Sequence, residues 1–139
     1  MTSGPDLGSG QTQVIASDDD VVRVRQLVRA AALEVKLSLV DQTKLVTAAS
    51  ELARNTLVYG RGGTVEVRAV DNGRRRGVRI VFADEGPGIA DLDLAFTDGY
   101  TTGTGLGLGL SGARRLVDDF DIATAPGEGT RVTVIKWSR

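Results

Sequence analysis

The chain has 139 residues, a formal net charge of −1, no cysteine and no histidine. Without histidine there is no Ser-His-Asp triad, no histidine general base and no histidine-ligated metal, and the near-zero charge gives no global basic field to recruit nucleic acid or an anionic membrane. The length suits one domain that buries its own core without disulfides or metals.

The opening MTSGPDLGSGQTQ has neither the basic start nor the apolar stretch of a secretory leader, and no apolar run reaches membrane-spanning length. A cytoplasmic protein is expected, with a disordered tail over residues 1–12 and one domain over 13–139. Gln13 to Ala16 fits a short first strand. Ser17 with Asp20 three positions on has the form of a capping box. Behind it Val21, Val24, Val28, Ala31 and Ala32 recur at helical spacing, with Arg23, Arg25 and Arg29 turned outward, which predicts a helix to about Lys36.

A second helix is predicted from Leu39 or Asp41 to Tyr59, with Leu45, Ala48, Ala49 and Leu52 as its apolar stripe and Gly60 placed to end it. Two strands follow, GTVEVRAV and GVRIVFAD; Val65, Val67 and Ala69 alternate in the first, and Val78, Ile80 and Phe82 in the second. Asn72-Gly73 marks the turn between them, and the arginines of that NGRRRG loop read as solvated surface. After a glycine-rich stretch a third helix is predicted from about Leu108 to Asp119, then DIATA, a PGEG turn and TRVTVIKW as a closing hairpin. The order predicts an α/β two-layer sandwich, a mixed, mostly antiparallel sheet with helices on one face.

Three places in this order carry polar groups suited to chemistry. Glu51 and Asn55 are spaced i and i+4, so both leave one face of the second helix. A solvated helix face carries such pairs routinely, yet asparagine is unfavourable inside a helix. An amide oxygen suits Mg²⁺ when phosphates supply the charge, and a neighbouring carboxylate suits proton abstraction from a hydroxyl. Asp84 ends an apolar strand and is followed by Gly86, Pro87 and Gly88. The composition is that of an ordinary turn, but a strand-end carboxylate can also accept from an exocyclic amine while glycines admit a flat ring. The segment GTGLGLGLSG enters the third helix with Leu106, Leu108 and Leu110 alternating with Gly105, Gly107 and Gly109, unlike a flexible linker. Its amides suit phosphate binding. It has no G-x-x-x-x-G-K-[ST], it makes a poor dinucleotide fingerprint because it does not open on a strand with an acidic residue about twenty positions later, and the protein-kinase H-R-D and D-F-G set is not present.

In this order SELARN, DEGPGI, DGYTTGTGLGLGLSGARRLVDDF and GEGT followed by IKW resemble the N, G1 and G2 boxes of the GHKL, or Bergerat-fold, ATP-binding family. The short lid and the GLSGARRLVDDF helix are similar to the RsbT-like branch of the anti-sigma-factor kinases. The resemblance implies that Glu51 orients the acceptor hydroxyl as a base and that Asn55 binds Mg²⁺. It places Asp84 on the adenine amine and Gly86 and Gly88 against the base. Tyr100, Thr101 and Thr102 would lie in an ATP lid, Gly105, Leu106, Gly107, Leu108 and Gly109 would hold the phosphates, and Thr130 would complete the adenine pocket. Ser111 stands where relatives often carry proline. The lid is expected to order only on binding ATP and a partner.

The implied activity is phosphoryl transfer from Mg-ATP to serine or threonine of STAS-domain proteins (RsbS/RsbR-like), together with activation of a PP2C-type phosphatase (RsbU-like). Alternatives with the same fold are an anti-sigma factor that binds a sigma factor and phosphorylates its antagonist, and a nucleotide-gated binding module without significant transfer. Neither nucleic acid nor a membrane is an expected partner.

Overall fold

The computed structural model describes residues 10–86 and 109–139. Strand β1 spans Gln11–Ile15, helices α1 and α2 span Asp18–Glu34 and Leu39–Val58, and β2 and β3 span Gly63–Asp71 and Arg76–Asp84. Helix α3 covers Gly109–Arg115, followed by β4 at Asp119–Thr124 and β5 at Thr130–Trp137. The strands form one five-stranded sheet in the order β1-β2-β3-β5-β4. Every pairing among them is antiparallel. The three described helices contribute to one core against a single face of this sheet, giving the expected two-layer sandwich.

The period-2 and period-3.6 patterns meet in that core. Val65 and Val67 of β2, Val78, Ile80 and Phe82 of β3, and Val132 and Val134 of β5 point inward and are buried. They meet Val21, Val24, Val28 and Ala32 of α1 and Leu45, Ala48, Ala49 and Leu52 of α2. The two helices form an antiparallel hairpin that turns through Val35–Ser38, with Lys36 in the left-handed region at φ 63° and Ser38 Oγ accepting from Asp41 N at 3.1 Å. Short buried alanines at positions 48, 49 and 53 let α2 lie close to the sheet. None of the described helices is long and apolar enough to cross a membrane.

Two boundaries differ from the sequence reading. β1 begins at Gln11, because Gln11 and Thr12 pair with Val67 and Glu66 on the long β2 strand. The third helix stops at Arg115 rather than Asp119, and Asp119 and Phe120 start β4. Asp118 N donates to Ile135 O at 3.0 Å and its carboxylate accepts from Trp137 N at 2.7 Å. These bonds to β5 compete with further helical turns for the same backbone. The turn at Asn72-Gly73 forms as expected: Gly73 has φ 91°, and Asn72 Oδ1 accepts from Arg74 N and Arg75 N.

Asp20 ties β1 to α1. Its Oδ2 accepts from Ala16 N at 2.8 Å and from Ser17 N at 3.1 Å, and its Oδ1 pairs with Arg23 at 2.9 Å. The Ala16 hydrogen bond is the main reason its carboxyl titrates below the ordinary range; desolvation opposes it, and Ser17 and Arg23 add to the lowering. A carboxyl depressed in the folded state stabilises the fold above its unfolded pKa, and that contribution disappears as pH falls through the folded one. Asp20→Asn is therefore expected to lower the melting temperature at pH 7, with the difference from wild type shrinking as pH falls below about 4. A melting series from pH 7 to pH 3 with a constant difference would contradict this.

One charge lies under the helical layer. Lys136 sits on the core side of β5 and is 5% exposed, with its ammonium 3.7 Å from both Asp41 of α2 and Asp118. Arg139 adds a pair to Asp118 at 2.6 Å. The group stitches the start of α2 and the end of the α3–β4 connection to β5. Such a buried set holds geometry more reliably than it adds net stability.

Candidate functional site

Helix α2 ends at the site. Thr56 Oγ1 folds back on Leu52 O at 3.0 Å, Tyr59 N and Gly60 N both donate to Asn55 O, and Gly62 N donates to Thr56 O. Arg61 and Gly62 then take left-handed conformations, at φ 61° and 97°, and turn the chain directly into β2. This tight exit brings the last turn of α2 against the end of β3.

Glycines make that approach possible. A Cβ on Gly60 would overlap the Asp84 carboxylate, lying 2.5 Å from Oδ2. A Cβ on Gly86 would come 2.8 Å from Gly60 Cα, and one on Gly63 would run into the Ala83 carbonyl. On the other side of Asp84, Gly129 at φ 81° packs on its carbonyl, and Asp84 pairs with Thr130 across the β3–β5 ladder. Asp84 is thus held between the end of α2 and the β4–β5 turn, with Oδ1 accepting from Gly86 N at 2.9 Å. Its other oxygen, Oδ2, has no hydrogen-bond partner among the described residues and remains able to accept. Thr130 Oγ1 lies 2.9 Å from Thr124 Oγ1, which also contacts Gly129 O at 3.0 Å. With the Thr124 proton given to Gly129, Thr130 is the donor of that hydroxyl pair.

Glu51 and Asn55 are both half-buried on α2, one turn apart. Among the described residues, neither side chain has a hydrogen bond or ion pair. Both are therefore left to water or to a ligand, beside the helix end that meets the strand-end carboxylate. The donor chemistry suits Mg²⁺: one neutral amide oxygen from the chain, with phosphates and water completing the shell. No cluster of three or more acidic side chains among the described residues offers an all-protein cage instead.

The structure thus brings Asn55, Asp84, Gly86 and Thr130 to one end of the sheet through Gly60 and Gly129, with Glu51 one turn further along α2. Gly109 opens α3 at φ 70°, and Leu110, Ser111 and Ala113 are buried beneath it. The remaining expected site residues, Gly88, Tyr100, Thr101, Thr102, Gly105, Leu106, Gly107 and Leu108, lie outside the described residues. Sequence reasoning gave Gly60 only the ending of a helix and left Gly129 inside a turn. The PGEG signal marked Gly129 as a turn residue, but no local pattern couples either glycine to Asp84.

A family model described as the histidine kinase-, DNA gyrase B- and HSP90-like ATPase matches residues 40–138. Over 125 residues the chain is 42% identical to the serine/threonine-protein kinase RsbT of Bacillus subtilis, covering 90% of this chain and 94% of that one. It is 26% identical over 119 residues to an anti-sigma F factor of Thermoanaerobacter sp., covering 81% and 82% of the two chains. A solved structure of the RsbU and RsbW domains of a Mycobacterium tuberculosis protein superposes with a TM-score of 0.66 at 22% identity, over 95% of this chain. The match spans 33% of that longer chain, and at this identity it speaks to the fold.

Proposed function

Because the chain belongs to the histidine kinase-, DNA gyrase B- and HSP90-like ATPase family, we propose that it is a serine/threonine protein kinase that uses Mg-ATP, phosphorylates STAS-domain proteins in a cytoplasmic partner-switching system, and activates a PP2C-type phosphatase as its output. The observation that carries this reading is the uncommitted pair Glu51 and Asn55 on the helix that ends against Asp84. The 42% identity to a serine/threonine-protein kinase over 90% of the chain supports it.

Each group then has a role its position suits. Asp84 Oδ2 accepts from the exocyclic amine of adenine while Oδ1 stays on Gly86 N. Gly86 and Gly88 leave room for the ring, and Thr130, anchored on Thr124, closes the pocket. The Asn55 carboxamide oxygen would hold Mg²⁺, which when bound would neutralise charge on the phosphates. Gly105, Leu106, Gly107, Leu108 and Gly109 supply backbone amides to the phosphates, and Thr101 and Thr102 belong to the segment that covers them. Glu51 accepts the proton as the acceptor hydroxyl attacks the γ-phosphorus, the bond to the bridging oxygen breaks, and ADP leaves. With no lysine in the glycine-rich segment, positioning and the metal carry more of the charge stabilisation.

The deciding test is transfer of label from γ-³²P ATP to STAS-domain proteins of the same organism in Mg²⁺, with Glu51→Ala in parallel. Label on serine or threonine that is lost in the variant supports the kinase. ATP binding without label would leave a nucleotide-gated binding module as the better reading. The metal role has its own check: Asn55→Ala should weaken ATP binding about tenfold in Mg²⁺. Titration calorimetry in EDTA should find the variant and wild type alike, and a Mg²⁺-independent loss would remove Asn55 as a ligand.

The 26% identity to an anti-sigma F factor favours a second reading, in which the output partner is a sigma factor. Co-purification with a sigma factor rather than with STAS or phosphatase proteins would select it.

A further inference from the structure

An antiparallel sheet with one solvated face alternates apolar-in with polar-out. Here the outward positions of the central strands do not. On β3 they are Gly77, Arg79, Val81 and Ala83, and on β5 Arg131, Thr133, Ile135 and Trp137. The register sets them in rows: Val70, Gly77 and Trp137; then Arg68, Arg79, Ile135 and Asp119; then Glu66, Val81, Thr133 and Asp121. None of Val70, Val81, Ile135 or Trp137 belongs to the core formed with the helices. Val70 is nonetheless fully buried, and the Trp137 ring lies over Gly77 beside it, since a Cβ there would come 2.7 Å from the indole Cε3. A strand pattern that is apolar on both sides calls for cover on both sides.

The charges at the centre restrict what that cover is. Arg79 is half-buried, and its guanidinium has no ion pair or hydrogen bond among the described residues. It lies directly opposite Arg68, which is held by Glu66 at 3.0 Å. Like charges so placed repel, and desolvating an unpaired guanidinium is costly unless the incoming surface carries a carboxylate. A second copy of this face is poorly suited. Its Glu66 is already engaged by Arg68, its Asp119 by Trp137 Nε1 at 2.8 Å, and its Asp121 sits on the edge strand. An axis through the patch centre would set Arg79 against Arg79.

We propose that the open sheet face centred on Arg79, Ile135 and Trp137 is a docking surface for a protein partner that presents an acidic residue flanked by apolar ones. Trp137 and Ile135 are the apolar anchors and Arg79 is the charge that selects the partner. The choice of partners for the test rests on the switching reading above. This face is opposite the helical layer that carries Glu51 and Asn55, so docking there leaves the phosphoryl-transfer site open.

The experiment measures binding of the full chain, Arg79→Glu and Ile135→Lys to the STAS acceptor and to the PP2C-type phosphatase, with ATP affinity and sedimentation alongside. Trp137 is the single tryptophan, so its emission reports cover directly when the partner's tryptophans are replaced by phenylalanine. The expected result is at least a tenfold loss of affinity for one partner in both variants, unchanged ATP affinity, and a Trp137 blue shift on binding in the wild type alone. Arg79→Ala removes a charge with no partner among the described residues and should melt no lower than wild type, which separates docking from folding. If the wild type binds a partner and both variants bind it equally, the docking inference is overturned and the switching reading stands. A wild type that binds neither protein overturns both. A wild-type dimer that Ile135→Lys dissociates would give the face to a second copy and overturn the acidic partner.

Discussion

Glu51→Ala is expected to lower phosphoryl transfer by about 10²- to 10⁴-fold while leaving ATP affinity unchanged. The size follows from the proposed role, since a positioned base acts on the proton that moves in the transition state and makes no contact with the bound nucleotide. The separation follows from the structure. Glu51 has no hydrogen bond or ion pair among the described residues, and nucleotide recognition is assigned to Asp84 and Thr130 at the strand ends beyond the next turn of α2. Its removal leaves Asn55, Gly60 and the Asp84 pocket as they are, and a half-exposed helical position tolerates alanine within about 0.5 kcal/mol. In single-turnover measurements at saturating ATP, the rate of the chemical step should therefore fall while the dissociation constant holds. Glu51→Gln keeps the shape and loses the basicity, so it should fall as far. A glutamine variant that transfers at the wild-type rate would reduce Glu51 to a solvated helix residue.

The layers of this fold were legible because each rests on a short-range period. Val24 and Val28, or Val78 and Ile80, report their own element within a few residues, and the inward face follows from that spacing. The third helix was overextended for the complementary reason. Leu116 to Asp119 continue a plausible helical pattern, and only the contacts of Asp118 with Ile135 and Trp137, far along the chain, make β4 begin there. The site divides in the same way. Glu51 and Asn55 were visible from i, i+4 spacing and Asp84 from its strand-end position. The close approach of Gly60 and Gly129 to Asp84 is tertiary and has no sequence period. Lys136 lies in TRVTVIKW, whose local pattern shows only a hairpin strand, since its partners Asp41 and Asp118 come from elsewhere in the chain. The outward apolar rows on β3 and β5 were present in the sequence too, but only the register shows that Arg79 stands among them.

Asp84→Asn is expected to weaken ATP binding by about 10²-fold or more. Oδ1 is committed to Gly86 N, so the asparagine oxygen takes that position and the amide nitrogen replaces Oδ2. A donor then faces the amine of adenine, and a charge-assisted hydrogen bond becomes an opposed pair of N–H groups. Gly60→Ala should reach a similar loss without touching a ligand-binding group. Its Cβ would lie 2.7 Å from Asp84 Cβ and still closer to the carboxylate, so Asp84 must shift with its backbone, since side-chain rotation leaves Cβ in place. Gly60 is not among the positive-φ glycines, so alanine meets no left-handed backbone strain there, and the overlap alone should cost about 1–3 kcal/mol of stability. Gly129→Ala combines a clash with the Asp84 carbonyl and a left-handed φ of 81°, and should destabilise the fold by roughly 1–3 kcal/mol through the backbone strain alone. If Gly60→Ala bound ATP as tightly as wild type, the adenine contact would have to lie away from Asp84.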